Sequence, residues 1–445
     1  MTSSILASTT EAELHSTQHE GPQGDTDHTR IAPGEIAIGV VIGRASEYFD
    51  FFVYGIASVL VFPAVFFPYE DRLTGTLLAF VIFSFAFIAR PFGTVIFMKI
   101  QQRYGREAKL TAALFLLGIS TAGIAFLPGY GAWGSGVVIA LSLLRVGQGL
   151  ALGGAWDGLP SLLALNAPPN RRGWYAMLGQ LGAPLGFLVA SALFAYLYSA
   201  LPADDFLIWG WRYPFYVAFA INVVALFARL RLVATNEYAH LLDENELEPV
   251  RVTELVRDQG YNLVIGAFAP LASYALFHLV TVFPLSWIAL YGTQSASEFL
   301  VVQMLGAVLS AGAMVLSGKI ADAYGRRRTL GTLAVLIGIF ALFAHPLLTG
   351  GRTGENIFIL LGFVLLGLSY GQASGSVTSN FAQRYRYTGA ALTADFAWLI
   401  GAAFAPVVAL GLSAKFGLGY LSLYLLSGAV FTLLALRINR SIERE

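Results

Sequence analysis

Arg44, Glu47 and Asp50 fall at intervals of three inside an otherwise apolar stretch. At ~100° per residue each interval drifts by only ~60°, so the three side chains share one face of a helix. Two carboxylates that close compete for charge and can share a proton. Further along, Arg90 precedes Pro91, Arg145 begins the word Arg145-Val-Gly-Gln148-Gly149, and Asp157, His278 and Asp395 stand in apolar surroundings. Ionisable groups in such company are costly and mark places where charge is bound or moved. With His278 neutral, three guanidiniums against four carboxylates leave one negative charge over, and a lone acid in low dielectric tends to take a proton. These residue types therefore offer proton uptake by a carboxylate and two-point capture of an anion by a guanidinium. Plainer roles exist beside these. Glu47 and Asp50 could hold Arg44 or Arg145 in a structural network, and Arg90 could satisfy the helix carbonyl freed by Pro91.

The elements that must hold these charges lie in an unusual background. The 445 residues are 56% hydrophobic and 12% charged, against ~25% charged in an average soluble domain. Mean hydropathy is +0.67. These figures exclude an ordinary cytosolic enzyme and a disordered chain. Net charge is zero, so no basic excess recruits nucleic acid. The absence of cysteine excludes disulfide scaffolds, zinc-thiolate sites, iron–sulfur clusters and a cysteine nucleophile. His15, His19 and His28 lie in a polar tail that reads as solvated chain rather than a metal site. No metal and no cofactor are expected. Neither Gly-x-x-x-x-Gly-Lys-Ser/Thr nor His-Glu-x-x-His occurs, so ATP-driven pumping and that metalloprotease chemistry are not expected. The chain is not read as an enzyme.

A membrane-crossing helix needs ~20 mostly apolar residues. Twelve such stretches begin near Ile36, Leu73, Ala108, Gly134, Trp174, Tyr213, Tyr261, Ser297, Thr329, Asn356, Thr388 and Phe416. The predicted fold is an all-α polytopic membrane protein with two six-helix halves, 36–233 and 261–437. A hydrophilic linker, 234–260, joins them. The tail 1–35 reads as disordered and lacks the basic and apolar regions of a cleavable signal; 438–445 reads as a short second tail. Lys99, Arg103, Arg106 and Lys109 follow the second span, Arg171 and Arg172 the fourth, Lys319 and Arg326 to Arg328 the eighth, and Arg384 and Arg386 the tenth. By the positive-inside rule these loops and both termini are cytoplasmic.

The halves repeat. Tyr104-Gly105-Arg106 recurs as Tyr324-Gly325-Arg326, about half the chain later, each copy after the second span of its half. Parallel repeats of six spans are one pattern among transporters, with the substrate site near the midplane between them. The chain resembles the major facilitator superfamily, and within it the metabolite:proton symporter family. The first span carries Gly43, Glu47, Tyr48, Phe49, Asp50 and Phe51 in the order Gly-x-x-x-Glu-aromatic-aromatic-Asp-aromatic. The second ends Arg90-Pro91-Phe92-Gly93, the fourth carries Arg145-Val-Gly-Gln148-Gly149, the sixth begins Gly210-Trp211-Arg212-Tyr-Pro214-Phe215, and the eleventh opens Arg386-Tyr387-Thr388-Gly389-Ala390. The superfamily's gating word, Gly-x-x-x-Asp-Arg-x-Gly-Arg, is near complete in the second half, with Gly318, Asp322, Gly325 and Arg326 and with Ala323 in the place of Arg. In the first half Met98 replaces its Gly and Gln102 its Asp, so the charge pair expected there is missing or rewired. Gly153-Gly154-Ala155-Trp156 lacks the family's Glu, with Asp157 following.

The resemblance implies proton-coupled uptake of a small organic anion by alternating access across a bacterial inner membrane. The anion would be a mono- or dicarboxylate, aromatic acids included. Arg90 is expected to take the substrate carboxylate, with Tyr48, Phe52, Tyr274, His278, Asp395 and Trp398 as further substrate contacts. Glu47, Asp50, Arg145 and Asp157 are expected to handle the proton, and Arg103, Arg106, Asp322 and Arg326 to form the gate. The partners are then the bilayer, protons and the anion; a monomer is expected, driven by the proton gradient. The alternatives are a zwitterion such as a betaine, whose cation aromatic faces would attract, a proton-driven exporter, or a non-transporting receptor. The exporter reading meets Ala183 and Phe187 where exporters commonly carry glycine in the fifth span.

Overall fold

The computed structural model describes residues 33–155, 167–233, 248–292, 294–373 and 381–439, and every regular element among them is helical. The first half contains α1 (Pro33–Leu60), α2 (Arg72–Tyr104), α3 (Arg106–Phe126) and α4 (Ser135–Gly154). Two pieces, Arg172–Leu178 and Gly182–Ala200, make α5, and Tyr213–Val233 is α6. The second half starts with α7, which runs as Val252–Phe268, Leu271–Thr281 and Phe283–Tyr291 with breaks at Pro270 and beside Pro284. It continues with α8 (Ala296–Tyr324), α9 (Arg326–Leu348) and α10 (Gly351–Tyr370). Arg386–Gly401 and Ala405–Phe416 make α11, and Gly419–Ile438 is α12. Ten of the twelve are long and apolar enough to cross a membrane by composition alone. The first falls outside that set because Arg44, Glu47 and Asp50 crowd one helix; with α6 it completes the two sixes.

The expected spans recur with shifted ends. The largest shift is at α7. The polar stretch expected to stay a linker as far as residue 260 is already helical from Val252, and a non-helical turn at Gln259 (φ −132°, ψ 16°) separates this polar lead-in from the spanning part. The repeated triplet has a backbone cause. Gly105 ends α2 and Gly325 ends α8, each at φ 84°, the left-handed region that glycine reaches without strain. Arg106 and Arg326 then begin the next helix.

Close backbone packing places the charged side chains. A Cβ on Gly149 would lie 2.3 Å from the Ala86 carbonyl oxygen, one on Gly153 would lie 2.3 Å from that of Arg90, and one on Gly93 would lie 2.2 Å from that of Leu150. Only glycine lets α2 and α4 approach so closely, as small residues do between membrane helices. In the second half Gly367 of α10 meets the Ser310 carbonyl of α8 in the same way. Gly182 and Gly186 of α5 seat α1 at Ala45 and Phe49. The halves touch through α5 with α8, α2 with α11, and α1 with α7. Large apolar side chains such as Phe115, Leu143, Val224 and Leu342 point outward, as a lipid-facing surface requires.

Candidate functional site

The charged face of α1 divides between two settings. Arg44 Nη1 lies 2.6 Å from Glu47 Oε2, the i, i+3 pairing that the helix geometry favours, and Arg44 Nη2 reaches the Tyr48 hydroxyl at 3.4 Å. Asp50, two steps further round, turns to the interior of the first half. It accepts from the Thr121 hydroxyl at 2.8 and 2.9 Å, from Asn222 Nδ2 at 3.3 Å and from Gln148 Nε2 at 3.4 Å. Arg145, almost wholly buried, does not pair with it directly. Its Nη1 donates to Gln148 Oε1 at 2.9 Å and its Nε to the Phe83 carbonyl at 3.2 Å, while the guanidinium lies 3.9 Å from the Tyr54 ring centroid and 4.8 Å from that of Phe83. The single Glu47, Asp50 and Arg145 network expected from spacing is thus two units, because the drift of the helix aims Glu47 and Asp50 at different neighbours. Gln148 bridges the second unit. Asp157 lies outside the described residues. Without it the acids at this depth are Glu47, Asp50 and Asp395 and the bases Arg44, Arg90 and Arg145, so the described set balances.

Two of the expected substrate contacts hold each other. Arg90 Nε on α2 lies 2.6 Å from Asp395 Oδ1 on α11, with the two side chains 11% and 3% exposed. Thr94, one turn after Arg90, donates to Asp395 Oδ2 at 2.5 Å and lies 3.3 Å from the Gly153 carbonyl oxygen. This ion pair crosses from one half to the other.

Aromatic rings fill the rest of the interface. Phe52 stacks on Phe277 at 5.7 Å between centroids with planes 10° apart, and Trp398 meets Tyr274 at 4.9 Å and Phe277 at 5.0 Å. The Tyr48 hydroxyl bonds the Tyr370 hydroxyl across the halves. His278 is fully buried against Phe83 at 5.3 Å and Phe51 at 5.4 Å, and neither ring nitrogen has a hydrogen-bond partner among the described residues. Between these walls, Arg44, Glu47, Tyr48, Phe87, Arg90 and Trp398 help enclose about 30 Å³. That holds a water or two, where a ligand pocket usually offers ~300 Å³ or more. The described residues leave no ligand-sized space there.

At the arginine-rich face, Asp322 at the end of α8 accepts from the backbone N–H of Gly173 at 2.6 Å and of Trp174 at 3.2 Å, in the first turn of α5. Arg326 Nη2 reaches the Arg172 carbonyl oxygen at 3.4 Å. Both expected gate residues of the second half therefore bridge the halves. In the first half, Arg106 is buried with its guanidinium 5.8 Å from the Tyr387 ring of α11. Arg103 is exposed, with its guanidinium 5.3 Å from the ring of the neighbouring Tyr104. Gln102, where the gating word has Asp, donates to the Pro249 carbonyl at 2.8 Å. The rewiring expected from the sequence runs through the chain between the halves.

A sequence profile of the Major Facilitator Superfamily matches residues 40–406. The chain belongs to the Major Facilitator Superfamily. It shares 36% identity over 417 residues with the inner membrane metabolite transport protein YhjE of Escherichia coli (strain K12), covering 92% of this chain and 95% of that one. It shares 30% over 423 residues with the shikimate transporter of the same organism, covering 92% and 94%. The proline/betaine transporter of Salmonella typhimurium is 24% identical over 84% of this chain and 77% of its own. Among solved structures, the D-xylose-proton symporter superposes with a TM-score of 0.67 at 18% identity, covering 90% of this chain and 96% of that one. At that identity the likeness is one of fold. The protein is accordingly a multi-pass membrane transporter of metabolites, in a family of carriers rather than enzymes.

Within this Major Facilitator carrier, sequence reasoning missed several residues at the site. Thr94 and Phe87 lie one turn either side of Arg90 on the same helix face, a signal that was there to use. Thr121, Asn222, Phe277 and Tyr370 carried none, because neutral and aromatic residues are ordinary in such helices. The word Gly367-Leu-Ser369-Tyr370-Gly371 has the Gly-x-Ser-x-Gly pattern of hydrolases. It lies at the end of α10, with Ser369 bonded to the Leu366 carbonyl at 3.3 Å, not on the strand-to-helix turn that exposes such a nucleophile.

Proposed function

We propose that the protein imports a small organic anion together with a proton, by alternating access, as a monomer in a bacterial inner membrane with both termini cytoplasmic. The carrying observation is that Arg90 stands between the halves, lines the central space and already holds a carboxylate there. A guanidinium so placed suits two-point capture of a carboxylate. Among the described residues three acids and three bases balance at this depth, which supports the proton: an added anion leaves one negative charge there unless an acid is protonated. Glu47 is paired with Arg44, Asp50 has neutral donors and Arg145 at one remove through Gln148, and Asp395 is the third acid. The aromatic walls, with Tyr48, Phe52, Tyr274 and Trp398 from both halves, favour a ring-bearing acid. The named substrate of the shikimate transporter is such a ring acid. The path lies between the two halves of one chain, which supports the monomer. The arginine-rich loops support the orientation. A betaine is the second reading, favoured by the aromatic faces.

The test is uptake into proteoliposomes of labelled shikimate, benzoate, succinate and glycine betaine under an imposed proton gradient. A carboxylate should accumulate, a protonophore should abolish the accumulation, and Arg90→Ala should lower it by at least ~30-fold, the cost of removing one partner of a buried charge pair. Equal filling with and without the gradient would overturn proton coupling, and accumulation untouched by Arg90→Ala would overturn the anion site.

A further inference from the structure

We propose that Asp395 is the protein's own occupant of the anion site: in the empty carrier it takes the substrate's place on Arg90, and the arriving carboxylate displaces it as Asp395 takes up the proton. This rests on the anion reading above and identifies the acid to which substrate and proton are jointly tied.

Three observations carry it. The Arg90–Asp395 pair joins α2 to α11, at 2.6 Å, with both side chains buried. The space beside it, about 30 Å³, cannot take a second carboxylate while Asp395 stays ionised in place. The surroundings of Asp395 also contain one cation. From α2 it faces Arg90 and Thr94, and from α4 the Gly153 carbonyl lies behind Thr94. From α7, Tyr274 lies within reach of its charge. The remaining charges of the α7 lead-in, Glu254, Arg257 and Asp258, are engaged at the arginine-rich surface with Arg384, Tyr385 and each other. Once a substrate holds Arg90, no described cation neutralises Asp395, so the low-dielectric setting requires a proton there.

The exchange balances. Before it, Arg90 is cationic and Asp395 anionic. Afterwards Arg90 is cationic, the substrate carboxylate is anionic, and a proton from the aqueous side has formed an O–H bond on Asp395. The site is neutral in both states: as the ion pair before, and as Arg90, the substrate carboxylate and protonated Asp395 afterwards. Thr94 suits either one. Its hydroxyl donates to ionised Asp395, and after protonation it can turn its proton to the Gly153 carbonyl and accept from the new carboxyl O–H. Asp50, with its ring of neutral donors, is not touched by the exchange. Neither ligand displaces the internal pair well alone, so each raises the affinity for the other.

The test uses the purified full-length protein with shikimate, benzoate and succinate as probes. Binding is measured across neutral pH, and protons taken up per anion bound are counted with a pH dye in weak buffer. Wild type should take up one proton per anion, and its affinity should fall about tenfold per pH unit on the alkaline side, the slope of a single linked proton. Asp395→Asn should take up none, lose the pH slope and bind at least ~10-fold tighter than wild type at alkaline pH, since no internal anion competes. Asp395→Glu should restore uptake and slope. Should Asp395→Asn fail to fold, infrared difference spectra decide: a protonated-carboxyl band appearing on probe addition should shift in Asp395→Glu. Proton uptake that persists in Asp395→Asn, a band that does not shift, or uniformly weaker binding without the acid would overturn the proposal. Binding indifferent to Arg90→Ala would instead overturn the anion site itself.

Discussion

The two crossings between the halves at the arginine-rich face occupy equivalent places in the repeat and are closed by different chemistry. Where α8 meets α5, the Asp322 carboxylate receives two backbone N–H groups in the first turn of α5. An anion there satisfies donors that no helix carbonyl can reach and opposes the helix dipole. Where α2 meets α11, Gln102 stands at the equivalent place and is bound to Pro249 instead. Closure falls to buried Lys109, whose Nζ lies 2.7 Å from the Tyr387 hydroxyl and 3.2 Å from Gln101 Oε1, and to Val250 N–H, which donates to Thr388 at 2.9 Å. The backbone turn is common to both, at φ 84° in Gly105 and Gly325. A repeat can therefore keep its turn while its latches diverge. Here one crossing centres on the Asp322 carboxylate, with Arg326 and Gln372 reaching the Arg172 and Gly173 carbonyls beside it, and the other spreads over several polar groups and the chain that links the halves.

The largest effect is expected at the backbone of the first crossing. A Cβ on Gly173 would lie 2.8 Å from the Gly318 carbonyl oxygen and from Ala321 Cβ, and 2.9 Å from Asp322 Oδ1. Gly173→Val should cost the closed state ~3 kcal/mol or more, hold the carrier open at this face and reduce uptake to background. The chain has no cysteine, so a cysteine introduced beside the crossing reports its accessibility alone. Faster labelling in Gly173→Val is the expected result, and unchanged labelling would mean the two helices are not in contact during turnover. Asp322→Asn comes next. The amide keeps one acceptor but loses the charge, which should weaken closure by ~1–2 kcal/mol and raise labelling by roughly tenfold. A response no larger than that of the second crossing would erase the contrast.

How much of this was legible beforehand follows from what burial does to each residue type. Charged residues in apolar stretches announce themselves, so Arg90, Asp50 and Asp395 could be found from the sequence, as could the i, i+3 partner of Glu47. The partner of Asp395 could not, since Thr94 lies 301 residues away and only the crossing of α2 with α11 unites them. Two of the neutral donors around Asp50 were hidden for another reason: Thr121 and Asn222 cost little to bury once hydrogen-bonded, so nothing in composition sets them apart, while Gln148 stood in the fourth-span word without a partner assigned. The glycines were visible as a composition, whereas their role as contact surface for α2 on α4 and α1 on α5 needed the packing. At the gate, the near-complete second copy of the gating word pointed to Asp322 and Arg326, and the altered first copy pointed to a pair missing or rewired without saying where a rewiring would lead.

The second crossing should respond less to any single change. Tyr387→Phe removes the hydroxyl shared by Lys109 and Gln101 and leaves the ring under Arg106 and Lys109. It should weaken this closure by about 1 kcal/mol, the usual net value of such a bond, with labelling at the head of α11 rising a few-fold while the α5 and α8 crossing stays as it was. A rise at both crossings would show that the two close as one unit.

The smallest effect is expected from Gln102→Asp, which gives the first half the residue its repeat has in the second. If the gating word alone made the latch, restoring its acid would tighten the crossing. The geometry argues otherwise. Gln102 acts as a donor, to the Pro249 carbonyl, and a carboxylate cannot donate. Glu248 and Glu254 share the adjoining cavity with Arg251 and Arg384, and Glu254 is already paired with Arg384 at 3.0 Å. A new anion therefore meets charges of both signs in an exposed setting, where such contacts are worth ~0–1 kcal/mol. The expected outcome is a slight loosening, by less than ~1 kcal/mol, seen as marginally faster labelling at the head of α11 and near-normal uptake. Slower labelling in Gln102→Asp would mean that an acid at this place can cap α11 as Asp322 caps α5, and that the difference between the crossings lies in one side chain rather than in the path of the linking chain.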